Sequence, residues 1–525
     1  MTAPPADATE LSAHFDRFRR HIVGVDAVVR TPDGERPLIY ADWTASGRLY
    51  GPIERRLSEA IGPFVANTHS EASATGALMT EAYHEAHAII RRHVNAGKDD
   101  VVITAGSGMT AVVNKLIRLL GLRVPEQLAR YTQVPDVARP VVFVTHMEHH
   151  SNQTPWIETI ADVEVLPPDE DGLVNPESLR ERLEAYRDRP IKIGAFTACS
   201  NVTGIGTPIH TLARLMHEAG GVCFADYAAS APYVPIDMHP GEPGEHLDAV
   251  YFSPHKFLGG PGSPGVLVFN AALYTNRVPD QPGGGTVEWT NPWLEHRYIT
   301  NIEVREDGGT PGFLQAIRAA LAIRLKDSLG TDRILQREHG QARRLLRGLG
   351  GIAGVHVLAA HVDERLGIVS FYFDRLHYNL VVRLLNDRFG VQARGGCSCA
   401  GTYGHYLLHV GRQQSEAITS RIDHGDLSTK PGWVRLSIHP TTPDAEIDVL
   451  VEAVDAIARN GGLWAGDYVY STASNEFHHT RARDEGTTRG WFDLADAGTP
   501  PSSDAGRARQ PIRNGSSAIS SDKTG

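Results

Sequence analysis

Cysteine is scarce in this chain, with four in 525 residues. That is too few for a disulfide framework and points to a reducing compartment, with the cytoplasm as the default. Excess positive charge is also lacking: 51 Lys and Arg stand against 62 Asp and Glu, for a formal net charge of −11. No basic stripe offsets that balance, which argues against an electrostatic nucleic-acid binder. No apolar run is long enough to span a bilayer. The opening Met1-Thr2-Ala3-Pro4-Pro5-Ala6-Asp7 has neither the basic stretch nor the apolar core of a signal peptide. Internal repeats are absent. What is present, 41% hydrophobic and 22% charged residues, suits a large soluble α/β domain with a smaller partner domain.

The patterning divides the chain into segments. An N-terminal helical arm (1–35) is centred on Leu11 to Arg20, and a large domain (36–310) alternates strands and helices as a mainly parallel sheet requires. A linking helix from about Phe313 to Leu329 opens a smaller α+β domain (311–462). There Gly367 to Phe373 reads as a strand and Tyr378 to Arg388 as a helix. Residues 463–494 keep scattered aromatics (Tyr468, Tyr470, Phe477, Trp491, Phe492) and are expected to be partly ordered. Residues 495–525 have little to bury and are expected to be disordered.

The most telling stretch is Ser253-Pro254-His255-Lys256, set between the apolar run Ala249-Val250-Tyr251-Phe252 and Gly259-Gly260-Pro261-Gly262. A lysine delivered off a buried strand into a Gly/Pro turn is placed to form an imine, and the adjacent Ser and His can hold a phosphate. Lys256 therefore reads as a Schiff-base lysine for pyridoxal 5'-phosphate (PLP). Such a site also needs a phosphate cradle, a ring stacker, a partner for the phenolic oxygen and an acid beside the pyridine nitrogen.

Each need has a candidate. Val101 to Thr104, then Ala105-Gly106-Ser107-Gly108-Met109-Thr110, then Ala111 to Ile117 read as strand, glycine turn and helix N-terminus. Such an arrangement offers free N–H groups and a positive dipole end; the competing reading is an ordinary strand-to-helix connection. Val141 to Thr145 leads into His146-Met147-Glu148-His149-His150-Ser151-Asn152, where an imidazole can lie on a ring and shuttle a proton. A loop histidine or a metal ligand competes, but no Cys or His spacing completes a zinc site, so no metal is expected. Asn201 follows the run Ile191 to Phe196 and has an amide to offer, though a turn asparagine before Gly204 reads similarly. Asp226 ends Val222-Cys223-Phe224-Ala225, either as the acid that keeps a ring nitrogen protonated or as a helix cap. Singly these are weak. Together they fall at the C-terminal ends of successive strands, the edge where open α/β sheets bind ligands.

With those residues in place, the chain resembles the class V, fold-type I PLP-dependent transferases, and within them the cysteine desulfurase, selenocysteine lyase and molybdenum-cofactor sulfurase branch. The matching segments are Gly108-Met109-Thr110, Glu148 to Asn152, Ser200-Asn201-Val202-Thr203-Gly204, Asp226, Ser253 to Lys256 and Gly308-Gly309-Thr310-Pro311, within about residues 36 to 460. The resemblance implies an α/β fold with a large domain, a mainly parallel sheet and a smaller α+β C-terminal domain. Met109, Thr110, Ser253 and His255 would bind phosphate; His149 would stack on the ring; Asn201 would meet the phenolic oxygen. Asp226 would pair with the ring nitrogen, and Lys256 would hold the cofactor and move the substrate's α-proton. Thr310 would reach the phosphate of a partner subunit in a homodimer.

Two further segments resemble the sulfur-handling branch. Arg394-Gly395-Gly396-Cys397-Ser398-Cys399-Ala400-Gly401 is similar to the mobile loop that carries a nucleophilic cysteine, with Cys399 favoured over Cys397. Nearby Arg394 would favour the thiolate. Gly432-Trp433-Val434-Arg435-Leu436-Ser437 is similar to the segment whose arginine grips a substrate α-carboxylate, a task suited to a planar guanidinium. A Cys-x-Cys metal pair or inert thiols compete with the catalytic reading. The chain departs from the family pattern at Asp42-Trp43-Thr44-Ala45-Ser46, where a bulky indole is expected to alter the pocket, and at Ala229, where a glutamine is usual. The expected activity is cysteine desulfuration, giving alanine and an enzyme persulfide for an acceptor protein. An aminotransferase, another PLP-dependent lyase or epimerase, or an idle PLP-binding partner remain as alternatives.

Overall fold

The computed structural model describes residues 8–68, 71–481 and 488–492. The expected disordered tail lies outside the described residues. Seven strands form the central sheet: β1 (Asp100–Ala105), β2 (Val141–Thr145), β3 (Asp162–Leu166), β4 (Lys192–Thr197), β5 (Val222–Asp226), β6 (Ala249–Phe252) and β7 (Gly265–Asn270). Their spatial order is β1-β7-β6-β5-β4-β2-β3. Only β7 runs against its neighbours. Apolar side chains on both faces explain why the strands read as near-continuous hydrophobic runs: every residue of β2, β4 and β6 is buried. Separate apolar clusters pack on the two faces, one around Phe143, Phe196 and Phe252 and the other around Leu116, Trp156 and Phe224.

A second sheet, antiparallel and four-stranded, follows in the chain: β8 (Val355–Val357), β9 (Ile368–Phe373), β10 (Arg394–Gly396) and β11 (Trp433–Ser437), in the order β8-β9-β11-β10. The helices Thr331–Gly350, Tyr378–Phe389 and Asp444–Trp464 cover it, and Leu345, Leu384 and Val454 from them are buried in one core with Leu436 of β11. Ile39–Tyr40, on the N-terminal side of the large sheet, pairs in parallel with Val391–Gln392, and Asp42 bridges Ser437. Residues 39–42 thus belong to the second sheet's surroundings in space, although the sequence pattern groups them with the first domain. A two-residue apolar pair gives no pattern from which its partner strand can be read.

The arm helix Ala8–Arg19 buries Leu11 and Phe15 against Trp43, Leu325, Leu329 and Ile368, where the two bodies meet. The linking helix Phe313–Leu329 packs its alanines on the helix Ala74–His93. Beyond Trp464 the chain forms the hairpin Tyr468–Ser471 with Glu476–His479, and Tyr470 packs its ring on Phe477. Trp491 and Phe492 are exposed.

The turn after β6 is tightly built. A Cβ at Gly260 would lie 1.8 Å from the Pro254 carbonyl oxygen, and this backbone cannot yield without displacing the segment that carries Lys256. Gly260→Ala is expected to cost at least about 3 kcal/mol, the range of severe steric substitutions. A urea unfolding curve with an unchanged midpoint would contradict this.

Candidate active site

A cavity of about 560 Å³ opens at the C-terminal edge of the central sheet. Strand direction explains its contents. β1 ends in the glycine turn before Met109; β2 leads to His149; β4 leads to Cys199 and Asn201; β5 ends on Asp226; β6 delivers Ser253, His255 and Lys256. All of these line the cavity, with Thr110. Arg394, Ser398 and Arg435 reach it from the second sheet.

The helix Met109–Leu119 begins at Gly108 without a side-chain cap. Its first N–H, on Met109, donates to Ser253 Oγ at 2.8 Å. A Cβ on Gly108 would come within 3.2 Å of that oxygen and 3.4 Å of the His255 ring. Thr110 Oγ1 meets Ser151 Oγ at 2.7 Å. Two hydroxyls and an imidazole around one helix N-terminus form an anion cradle.

Lys256 and Asp226 stand in the same cavity. Burial pulls the lysine amine down to about 8, opposed by the Asp226 charge and helped by Arg435 and Arg394. Burial pushes Asp226 up to about 6, opposed by the Ala228 N–H, which donates to Oδ1 at 2.7 Å, and by Lys256. Each group is thereby less charged than in water, and a cation opposite Asp226 would restore its charge. His149 is lowered to about 3, mainly by burial and then by Lys256. Its Nδ1 accepts the Ser151 N–H at 3.1 Å, so the neutral ring carries its proton on Nε2. Burial likewise lowers His255 to about 4.

The two arginines meet through strand register. Arg394 on β10 pairs with Arg435 on β11. Like charges facing across strands repel, and here Asp42 offsets one of them: Arg435 Nη2 donates to Asp42 Oδ1 at 2.6 Å, while Nη1 donates to the Asn201 carbonyl at 3.0 Å. Arg435 is buried and Arg394 exposed. Beyond β10 the backbone turns through left-handed conformations at Ser398 (φ 50°) and Cys399 (φ 56°). Non-glycine residues adopt such angles at a cost, so other contacts must hold them. Those contacts are specific: Asn201 Nδ2 donates to the Ser398 carbonyl at 2.8 Å and Trp433 Nε1 to Ser398 Oγ at 3.2 Å. Cys399 is half-buried and, unlike Ser398, is not among the residues lining the cavity. Cys397 is also half-buried.

Thr310 lies exposed and does not line the cavity of its own chain. Trp43 is a correction to the sequence expectation. The indole is buried, stacked on His439 at 4.3 Å, and Thr44 and Ala45 rather than Trp43 face the cavity. Ala229 does line it.

Several participants lie in segments visible in the sequence but take their roles only from the fold. Glu148 is fully buried, pushed up to about 8 by burial, and joins the ends of β2 and β4 by accepting the Thr145 and Thr197 N–H groups. Its partner Asn152, one helical turn on, donates to Glu148 Oε2 at 2.7 Å and accepts the Tyr251 hydroxyl through Oδ1 at 2.6 Å. The i, i+4 spacing is visible in sequence; the burial is not. Cys199 lines the cavity, but burial holds its thiol far above the ordinary range, so it stays protonated. At the other edge of the sheet the fold gathers His217, His246 and Asp248, which have no metal-like spacing in sequence. The two rings stack with planes 8° apart, so one ion cannot lie in both planes as the rings stand.

A mixed seven-stranded sheet with a lysine and a carboxylate at its C-terminal edge, joined to a small antiparallel domain, defines an α/β fold of the type I class. The chain belongs to the aminotransferase class-V family, whose profile matches residues 39–450. Among curated relatives, a "Probable cysteine desulfurase" of Halalkalibacterium halodurans is 28% identical over 373 residues, covering 69% of this chain and 84% of its own. "Probable cysteine desulfurase 2" of Mycobacterium leprae is 28% identical over 441 residues, covering 81% of this chain and 96% of its own. Among solved structures, the apo cysteine desulfurase of Thermococcus onnurineus NA1 superposes with a TM-score of 0.67 at 22% identity, covering 85% of this chain and 98% of its own. The cysteine desulfurase CsdA of Escherichia coli gives 0.64 at 21% identity, covering 87% of this chain and 99% of its own. At those identities the superpositions show the fold.

Proposed function

We propose that this chain binds pyridoxal 5'-phosphate through Lys256 and removes sulfur from cysteine, giving alanine and a persulfide on Cys399. The observation that carries the reading is the joining of the Cys399 loop to the cofactor edge: Asn201 lines the cavity and holds the Ser398 carbonyl. The residues fit the cofactor. The uncapped helix with Ser253 and His255 suits its phosphate, and the buried Asp226 suits a pyridine nitrogen. The flat neutral ring of His149 suits its face. When bound, the cofactor supplies an electron sink for the substrate's α-carbanion.

The chain's own residues do the rest. Asp226 would hold the proton on the ring nitrogen. Arg435, assisted by Arg394, binds the α-carboxylate, with Asp42 fixing the Arg435 plane. The Lys256 amine, poised near neutrality, takes the α-proton and returns it. The Cys399 thiolate attacks the substrate sulfur: a sulfur–sulfur bond forms as the Cβ–S bond breaks, the electron pair passes to carbon, and that carbon takes up a proton. Alanine leaves, and the persulfide is cleaved by a thiol or passed to an acceptor protein.

Thr310 is assigned to a homodimer interface, which its exposure permits. Trp293 and Leu294, at the tip of another hairpin, are 78% and 91% exposed. A cytoplasmic location suits four cysteines that are all free, and no described helix is long and apolar enough to cross a membrane.

That Ser398 lines the cavity and Cys399 does not favours one second reading, a class V aminotransferase or another PLP-dependent lyase or epimerase that needs no thiol. Incubating the holoenzyme with L-cysteine and a panel of other amino acids in the presence of dithiothreitol separates the two. Desulfuration gives alanine and sulfide in equal amounts from cysteine alone. A 2-oxo acid, or turnover of amino acids lacking sulfur, would overturn it.

A further inference from the structure

The cysteine loop has a second anchor that the proposed chemistry does not use. His150, beside the cavity residue His149, donates its N–H to the Cys399 carbonyl at 2.7 Å. The unprotonated Nε2 of its ring accepts the Gly401 N–H at 3.0 Å. One residue thus grips the backbone on both sides of Ala400, just past two residues held in left-handed conformations. One turn further along the helix His150–Ile157, Gln153 Oε1 accepts the Thr402 hydroxyl at 2.9 Å. Gly401 opens the helix Gly401–Leu407, and a Cβ there would press on His150 Nε2 at 3.1 Å, so the close approach is built into the sequence.

We propose that His150 is a positioning residue for Cys399, a latch whose neutral imidazole holds the cysteine loop closed and whose protonation frees it. This rests on the reading of Cys399 as the sulfur carrier. The physical reason is hydrogen-bond sign: protonated Nε2 becomes a donor and faces another donor, the Gly401 N–H. The groups around the ring do not reverse that preference. Lys430, ahead of β11, and burial both disfavour the charged ring. His149, which caps the start of that helix, is itself held neutral, and His405 on the cysteine-side helix spends Nδ1 on the Gly401 carbonyl. The Cys399 carbonyl is bound by the backbone N–H, which does not titrate.

The latched imidazole binds a proton less readily than a free one, so closure is complete above the free value and weakens as pH falls. Taking the ordinary free imidazole as the reference for the released ring, the closed-to-open ratio falls by at most about tenfold at about pH 5.5.

The test uses the full-length holoenzyme without substrate, alkylated by iodoacetamide and read by peptide mass spectrometry. His150→Gln keeps a neutral acceptor at every pH. The wild-type to H150Q ratio of Cys399 alkylation rates cancels the thiolate fraction, and is expected to rise, by up to about tenfold, between about pH 8 and about pH 5.5. Buried Cys199 and Cys223 stay unlabelled in a folded protein. A flat ratio overturns the proposal. If H150Q labels at Cys199, hydrogen exchange of residues 401–407 in the wild type, corrected for the chemical rate, replaces it: protection must fall below about pH 6.5, and constant protection overturns the proposal. Neither measurement needs turnover, so absence of alanine from cysteine would sink the desulfurase reading alone.

Discussion

Lys256→Ala protein, saturated with pyridoxal 5'-phosphate and reduced with borohydride, is expected to yield no pyridoxyl-labelled active-site peptide. Turnover should fall by at least about 10³-fold, because the same amine is also the proton carrier. The wild type should label on the peptide containing Lys256. The environment adds a pH signature. The amine is held near 8 by burial, and only its neutral form attacks an aldehyde. The rate at which apoenzyme captures the cofactor should therefore rise with pH and flatten above about 8, falling about tenfold per unit below that. Stopped-flow absorbance at several pH values checks this. Capture that continues in the alanine variant with the same spectrum would mean that another amine holds the cofactor.

Cys399→Ser separates cofactor chemistry from sulfur chemistry. The variant is expected to bind the cofactor with an unchanged visible band while sulfide release from cysteine falls at least about a thousandfold, about 4 kcal/mol of barrier. A serine hydroxyl fits the same left-handed turn but is not a thiolate and cannot carry a persulfide. Cys397→Ser should retain most of the activity, since the contacts with Asn201, Trp433 and His150 converge on residues 398 to 401. Full activity in Cys399→Ser, or the reverse pattern in the two variants, would move the sulfur carrier elsewhere.

These two experiments probe parts of the site that differ in how legible they are from sequence. Lys256 is readable because everything that positions it is local: a four-residue apolar strand, a proline and a glycine turn lie within ten residues of it. The same holds for the glycine turn before Met109 and for Asp226 at the end of β5, where strand direction alone sends the next side chain to one edge. Trp43 is the opposite case. Its neighbours suggest a pocket wall, but its partner His439 lies at the far end of the second sheet's sequence, and stacking on that ring takes the indole out of the cavity.

Chain order and residue type by themselves determined the alternation of strands and helices and the row of chemical groups along one sheet edge, because periodic burial and strand polarity are short-range properties. They also carry the lysine turn, whose glycine admits no side chain. Tertiary structure alone decided that Asp42 neutralises Arg435, that Arg394 and Arg435 share a register, and that His150 closes on Gly401. Each of those pairings joins segments far apart in the chain, and the desolvation that shifts Lys256, Asp226 and His149 away from their solution charge exists only in the folded chain.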